Sequence, residues 1–140
     1  MLELDVNQDL LATRQRLDEA LFARIAREVF QEHPVDGLIA VRFVSEPEMQ
    51  MLNRMYRGKD SVTDVLSFSY MHDSGDLLGD VALSYEQAQR QAQGDVGHEL
   101  LMLIVHGILH VLGYDHERAQ DAQKMFPLQD RLVDTIILHV

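Results

Sequence analysis

The sequence predicts an α+β fold, a single domain over residues 1–140 in which helices pack on a small mixed β-sheet of about four strands. Segments with the two-residue period of strands alternate along the chain with segments of helical period. No internal repeat, low-complexity tract or linker separates them. The composition, 46% hydrophobic and 25% charged, is that of an ordinary globular protein.

The first half of the chain predicts two strands and two helices. Residues 2–6 alternate apolar and acidic side chains, as a half-buried strand does. Over residues 13–33 apolar residues recur at every fourth position, which predicts an amphipathic helix ended by the following proline. Residues 37–44 are rich in β-branched residues and predict a strand. Ser45 then predicts the N-cap of a helix that runs to about Arg57.

The middle of the chain predicts two further strands joined by an acidic turn. Residues 65–70 alternate polar and apolar side chains, residues 73–76 contain the turn, and residues 80–83 form the next strand. Ser84 predicts the N-cap of a short helix after that strand. Together with the two strands of the first half, these give the sheet of about four strands.

The last third of the chain predicts one buried helix and one final helix. Residues 96–112 are apolar on nearly every side, which indicates a helix buried in the core, and Gly113 predicts its left-handed C-terminal residue. A final helix is expected from about residue 117 to the end of the chain, interrupted near Pro127.

Three histidines follow one another within the buried helix and just after it, in the order His106-Gly-Ile-Leu-His110-Val-Leu-Gly-Tyr-Asp-His116. Residues four apart lie on one side of a helix, so the first two imidazoles can converge on one ion. The break at the glycine lets the chain double back and bring the third to the same ion. Three imidazoles at about 2.0–2.1 Å leave one tetrahedral position open for water, as in catalytic zinc sites.

The chain has no cysteine, so a soft-metal site must be built from histidine. The spacing predicts one Zn²⁺, with Ni²⁺ or another divalent transition metal as the alternative. It matches the metzincin pattern His-Glu-x-x-His-x-x-Gly-x-x-His, which makes the predicted fold metalloprotease-like. Gly107, however, stands where a protease has its catalytic glutamate. The pattern therefore favours a metal hydrolase over an ordinary zinc protease.

The alternative interpretation of these histidines is that they are hydrogen-bonded core residues, which is common for a lone histidine on an apolar helix. Three at this spacing favour metal binding. Three of the remaining histidines, His33, His72 and His139, are interpreted as structural residues. His98 is interpreted as a residue on the helix surface, with a role beside the metal ligands or the substrate as the alternative.

A cluster of cations interrupts an otherwise acidic chain, whose net charge is −11. Arg54, Arg57 and Lys59 could simply complement the C-terminal end of a helix dipole. The functional interpretation is an anion clamp, in which a guanidinium pairs phosphate oxygens and Tyr56 stacks on a base. The overall negative charge opposes nucleic-acid binding except near a bound dication or a local basic patch.

These motifs, in this order, resemble the YbeY family of bacterial ribosomal-RNA maturation endoribonucleases. The resemblance covers almost the whole chain. It is carried by Leu52-Asn-Arg-Met-Tyr-Arg-Gly-Lys-Asp60, Thr63-Asp-Val-Leu-Ser-Phe68, Leu78-Gly-Asp80 and the segment from His106 to His116. It departs at Val62 and Ser69, where many members have proline, which affects loop shape.

The resemblance implies a zinc-dependent endoribonuclease of single-stranded RNA that acts in 3′-end maturation of small-subunit (16S) ribosomal RNA and in ribosome quality control. It implies metal ligands at His106, His110 and His116 and a catalytic arginine at Arg57. The expected partners are single-stranded RNA, small-subunit ribosomal RNA and the ribosome, not DNA or a membrane. The start of the chain resembles no signal peptide and no apolar run could span a bilayer, so a cytoplasmic location is expected.

Several alternatives stay open from the sequence. The nucleophile is either water or the ribose 2′-hydroxyl, and the proton acceptor is Asp64, Asp80 or Asp115, of which the first two could equally orient ligands. Two rival functions are a zinc metallopeptidase and a non-catalytic ribosome-assembly factor with a structural metal. The oligomeric state is open.

Overall fold

The computed structural model describes residues 1–71 and 75–138. Four strands form one sheet in the order β1-β2-β4-β3, in which β1, β2 and β4 are parallel and β3 is an antiparallel edge strand. The strands are β1 (Leu2–Asn7), β2 (Gly37–Phe43), β3 (Val65–Ser69) and β4 (Leu77–Leu83). The predicted mixed sheet is confirmed. β4 begins three residues earlier than predicted, because Leu77 already pairs with Leu38 of β2.

In the described residues, five α-helices accompany the sheet. They are α1 (Glu19–Glu32), α2 (Glu46–Arg57), α3 (Tyr85–Gln91), α4 (Val96–Val111) and α5 (Ala119–Leu138). The two predicted serine caps are confirmed, since Ser45 Oγ accepts from Glu48 N and Ser84 Oγ accepts from Gln87 N. In the described part of the chain, no helix is both long and apolar enough to cross a membrane.

Two predicted helices have different limits in the structure. α1 begins at Glu19, not at residue 13, because the Asp18 carboxylate accepts from Ala20 N and so caps the helix there. α5 runs through Pro127 without the predicted interruption. Met125 and Leu128 are buried on either side of this proline, and burial of apolar side chains against the core holds the helix together there.

The two faces of the sheet are covered unequally. One face packs against α1 and α4, and α5 packs on these two helices to complete the main hydrophobic core. The other face has a small apolar cluster beneath α2, which consists of Val44, Met49, Leu52, Leu66 and Ala82. The predicted structural histidines His72 and His139, and the first half of the predicted turn at 73–76, lie outside the described residues.

Close contact between α4 and the sheet depends on Gly79 of β4. A Cβ there would lie 2.4 Å from Val111 Cγ1 and 2.6 Å from the Phe68 carbonyl oxygen. Ser69 Oγ donates to the Val111 carbonyl oxygen at 2.8 Å beside it, so the end of α4 is held to β3 and β4. This contact fixes the height of α4 above the strands.

We predict that Gly79→Ala lowers the free energy of unfolding by about 2 kcal/mol, because the added methyl group would push a backbone oxygen and a buried valine apart. Urea denaturation of metal-free protein measures the change. The matched control is Gly94→Ala, where a Cβ would meet no described atom within 4 Å. Equal stability of the two variants would contradict the proposed close packing.

Candidate metal centre

Two of the three clustered histidines project from the end of the buried helix α4. Asp95 caps the start of this helix by accepting from Gly97 N at 3.0 Å. Ile104, Val105 and Ile108 on its inner sides are fully buried, which fixes the rotation of the helix about its axis. His106 and His110 consequently lie on one side, half-buried, with ring centroids 4.6 Å apart.

A tight turn brings the third histidine back to the first two. Gly113 has φ 105°, a conformation that glycine adopts without strain, and Tyr114 N donates to the Leu109 carbonyl oxygen at 3.0 Å. The Asp115 carboxylate accepts from the backbone of His116 at 2.7 Å, which shapes the next step of the turn. The His116 ring centroid lies 5.3 Å from that of His106 and 5.1 Å from that of His110. The predicted convergence of three imidazoles is therefore present.

The three imidazoles fit a divalent transition metal. Each offers one nitrogen, and the three nitrogens lie within 4.8 Å of one another. Tetrahedral zinc ligands lie roughly 3.3 Å apart, so small side-chain rotations would bring them to bonding distance. The set leaves a fourth position for water. Zinc, nickel and other divalent metals all accept imidazole, so the donor set does not select one of them.

The pKa values of two of these rings also favour the binding of a cation. Burial lowers the pKa of His106. Burial, with the neighbouring His106 and His116, lowers the pKa of His110 to about 4. Both rings are therefore neutral at neutral pH, which is the form that binds metal.

A glutamine on α5 orients the first imidazole. Gln129 is buried, and its Oε1 lies 2.8 Å from His106 Nδ1. A carboxamide oxygen only accepts hydrogen bonds, so Nδ1 carries the proton and Nε2 is left free for a ligand. On the same helix, the Phe126 ring stacks against His116 at 5.4 Å. Neither residue was predicted from the sequence, because no spacing relates α5 to the histidines before the fold is known.

A cavity of about 740 Å³ opens over the three imidazoles. Arg57, Tyr56 and Asp64 also line it, together with β3 and the turn after α4. The charge of Arg57 contributes to the lowered pKa of His110, which places the guanidinium within electrostatic range of the ring. The predicted arginine and the three predicted histidines therefore share one cavity.

The loop after α2 holds Arg57 at the cavity. Gly58 ends the helix with φ 69°. The buried Asn53 donates from Nδ2 to the Ser61 carbonyl oxygen at 3.0 Å, and Gln50 Nε2 donates to Asp60 at 3.1 Å. These bonds fold the loop back on α2. Arg54, Arg57 and Lys59 are all exposed, and Arg57 differs from the other two in lining the cavity.

The three carboxylates considered as proton acceptors have different surroundings. Asp64 lines the cavity and accepts from Gln91 Nε2 at 2.6 Å. Asp115 also lines it, but the backbone N–H of His116 holds the pKa of its carboxyl below the usual range. Asp80 extends from the α2 face of β4, opposite to the face on which its neighbour Val81 contacts α4. That placement argues against Asp80 as the proton acceptor.

The glycine that replaces the protease glutamate is required by packing. A Cβ at Gly107 would lie 2.7 Å from Val81 Cγ1 and 3.2 Å from Ser67 Oγ. The position therefore faces the sheet, not the cavity, and has no room for a side chain.

Two of the other histidines are described and match their predicted interpretations. His33 Nδ1 lies 3.3 Å from the Tyr114 hydroxyl, which ties the end of α1 to the turn after α4. His98 is exposed in the first turn of α4.

An α+β fold in which a buried helix and the turn after it present three imidazoles to an open cavity is the arrangement of a hydrolase that can bind a metal ion. A family model described as Endoribonuclease YbeY matches residues 5–137. The chain belongs to this family, and the predicted enzyme class, an endoribonuclease, is confirmed.

Individual relatives agree with the family match. A protein named Endoribonuclease YbeY from Limosilactobacillus fermentum is 37% identical over 142 residues, 89% of this chain and 88% of that protein. One of the same name from Persephonella marina is 40% identical over 129 residues, 82% of each chain. Another, from Anaeromyxobacter sp., is 48% identical over 95 residues, 64% of this chain and 50% of that protein. The solution structure of TM1509 from Thermotoga maritima is similar with a TM-score of 0.60 and 26% identity, over 97% of this chain and 89% of that one.

Proposed function

We propose that this protein is a zinc-dependent endoribonuclease that hydrolyses phosphodiester bonds of single-stranded RNA, with metal ligands His106, His110 and His116 and the catalytic residue Arg57. The observation that carries the proposal is the single cavity that contains the three imidazoles and the guanidinium, in a member of an endoribonuclease family. The exposed Tyr56 ring beside the cavity offers a surface on which an unstacked base can stack.

In the proposed mechanism, four side chains have distinct roles. A divalent ion held by the three imidazoles would acidify water and polarise a phosphoryl oxygen. Arg57 pairs with the phosphate oxygens and stabilises the charge that builds on them in the transition state. His106, fixed by Gln129, and His110, fixed by the buried α4, keep their positions as the substrate enters. Because the cavity is open, a chain with splayed bases can pass through it, as single-stranded RNA does.

Asp64 is the carboxylate best placed to accept the proton, since Asp115 is engaged by the backbone and Asp80 lies on the other face of the sheet. The nucleophile is water or the ribose 2′-hydroxyl. Analysis of the product ends separates the two, because attack by the 2′-hydroxyl leaves a 2′,3′-cyclic phosphate and direct attack by water leaves none. We propose water.

A zinc peptidase is the rival enzyme class. The packing of Gly107 against the sheet opposes it, because that position cannot supply the general base of a metzincin. Incubation of the zinc-loaded protein with single-stranded RNA, double-stranded RNA, single-stranded DNA and an unfolded protein tests the proposal. We expect cleavage of the single-stranded RNA alone. Proteolysis that His110→Ala abolishes, with the RNA left intact, would overturn it.

We further propose that the substrate in the cell is the 3′ end of small-subunit ribosomal RNA, that the enzyme acts on the ribosome in quality control, and that it works in the cytoplasm. The family membership supports this proposal. Purified small subunits that carry an unprocessed 3′ end should be trimmed by the wild-type protein and not by His110→Ala. Trimming of free RNA but not of the subunits would contradict the ribosomal substrate.

Gln129 gives a prediction about metal affinity. We expect Gln129→Leu to weaken zinc binding about 10- to 100-fold, because His106 would lose the acceptor that sets its tautomer and orientation. Competition with a chromophoric chelator measures the affinity, and Gln129→Glu, which restores an acceptor, should recover most of it. A thermal melt of the metal-free proteins separates this effect from unfolding. Unchanged affinity in Gln129→Leu would show that the 2.8 Å contact does not position the ligand.

A further inference from the structure

A second cavity, of about 460 Å³, lies on the α2 face of the sheet. It falls within the size range of small-molecule pockets, roughly 300–1,000 Å³. The residues that line it combine aromatic rings with one cation and one anion: Arg42, Leu52, Tyr56, Ser67, Phe68, Ser69, Tyr70 and Asp80. None of the three proposed metal ligands is among them.

The aromatic rings form a stacking surface. Tyr56 meets Phe68 edge to face at a centroid distance of 5.1 Å, and 62% of Tyr56 remains exposed. Burial raises the pKa of Tyr70, and Asp80 and Tyr56 beside it raise that pKa further. The Tyr70 hydroxyl therefore stays protonated next to the other two residues. Aromatic surfaces of this kind bind unstacked nucleobases.

The charged pair in this cavity is incompletely hydrogen-bonded. Arg42 donates to Glu48 at 3.1 Å, and its Nε lies 3.6 Å from Asp80 Oδ1, too far for a hydrogen bond. Oδ1 is buried and accepts no hydrogen bond from the described residues. The Asp80 side chain keeps 21% of its surface exposed. Because Oδ1 itself is covered by protein atoms, a ligand would reach this carboxylate at the exposed part of the side chain, where it could supply the missing donor.

The second cavity adjoins the metal centre. Tyr56, Ser67, Phe68 and Ser69 line both cavities, because β3 is the edge strand and lies between them. An RNA strand cleaved at the imidazoles can therefore place a neighbouring nucleotide across this edge. Of the four RNA bases, guanine alone presents an acceptor, O6, next to two donors, N1–H and N2–H. The acceptor can pair with a guanidinium such as that of Arg42, and the two donors can pair with a carboxylate beside it such as that of Asp80.

We propose that the cavity between α2 and the sheet binds a guanine base of the RNA next to the cleaved bond, with the base against Tyr56 and Tyr70, its O6 facing Arg42 and its N–H groups facing Asp80. The proposal rests on the proposed ribonuclease function and adds a specificity site to it. Cleavage should then depend on a guanosine at a fixed distance from the cut.

Binding to metal-free protein tests the site apart from catalysis. The probes are fluorescent eight-nucleotide oligouridines with a central guanosine, inosine or uridine, and fluorescence anisotropy gives their affinities for the full chain. We expect the guanosine probe to bind at least about tenfold more tightly than the uridine probe. The inosine probe, which lacks the N2 amino group, should lose most of this preference. Asp80→Asn should remove it, while Asp5→Asn, an exposed carboxylate on the opposite edge strand, should keep it.

Each outcome decides one of the two proposals. Equal affinity for the three probes in the wild-type protein would overturn the guanine site, and the inosine comparison holds even if Asp80→Asn fails to fold. A guanosine preference that survives Asp80→Asn would also overturn it. A clear preference in binding, with no RNA cleavage by the zinc-loaded protein, would leave guanine binding in this cavity standing and reject the proposed zinc-dependent cleavage of single-stranded RNA.

Discussion

Replacing His110 with alanine is expected to lower kcat/KM for single-stranded RNA by about 10³-fold or more, because two imidazoles would not hold the ion in a defined position. The fold should survive. His110 is half-buried at the wall of the cavity, and in the metal-free protein the change should alter stability by no more than about 1 kcal/mol. Cleavage of a labelled oligoribonucleotide and the thermal melt of metal-free protein measure the two effects.

The matched control for this variant is His98→Ala, which removes an exposed imidazole from the first turn of the same helix. It should cleave RNA as the wild-type protein does. If His110→Ala retained cleavage, the imidazole cluster would not be the reaction centre. If metal-free His110→Ala were unfolded under conditions in which metal-free wild-type protein is folded, the ring would have a structural role.

Replacing Arg57 with alanine should lower kcat by about 10²- to 10³-fold, the effect of removing one donor that stabilises transition-state charge. KM should change less, since other contacts bind the rest of the RNA. Arg57→Lys should recover part of kcat, because an ammonium supplies charge without the two-pronged geometry of the guanidinium. Steady-state kinetics on one oligoribonucleotide measures all three proteins. Arg27→Ala, an exposed arginine on α1, serves as the control for loss of a positive charge.

The same variant separates catalysis from a purely structural metal. If this protein were a non-catalytic assembly factor, Arg57→Ala would leave its activity in cells intact, and His106→Ala would unfold the chain. The hydrogen bonds from Tyr114 N to the Leu109 carbonyl oxygen and from His116 N to the Asp115 carboxylate support the turn that carries His116, which argues against a metal as its only support. We expect metal-free protein to melt cooperatively.

The sequence predicted those features that depend on local chemistry. The strand and helix periods gave the sheet and its helices, and the spacing of His106, His110 and Gly113 predicted that the imidazoles converge. For α1 and α2, the first residue of the helix was predicted correctly only where its N-cap residue was recognised in the sequence. Ser45 was recognised as the cap of α2, whereas Asp18 was not recognised as the cap of α1.

Contacts between distant segments could not be predicted in this way. Gln129 reaches His106 only because α5 packs beside α4, and the continuity of α5 through Pro127 depends on the same packing. Asp80 belongs to the motif Leu78-Gly-Asp80 that carries the family resemblance. The face of β4 on which its side chain lies depends on how this strand pairs with β2, and no local sequence pattern revealed that register. The roles of Arg57 and of the three histidines remain predictions that the variants above test.

A zinc titration tests the central claim most directly. Protein purified without a histidine tag and treated with a chelator receives increasing zinc while cleavage of a single-stranded oligoribonucleotide is followed. Activity should be absent at the start, rise in proportion to added zinc and level off at one ion per chain. Full cleavage by the chelator-treated protein, or no response to zinc, would contradict a catalytic metal at His106, His110 and His116.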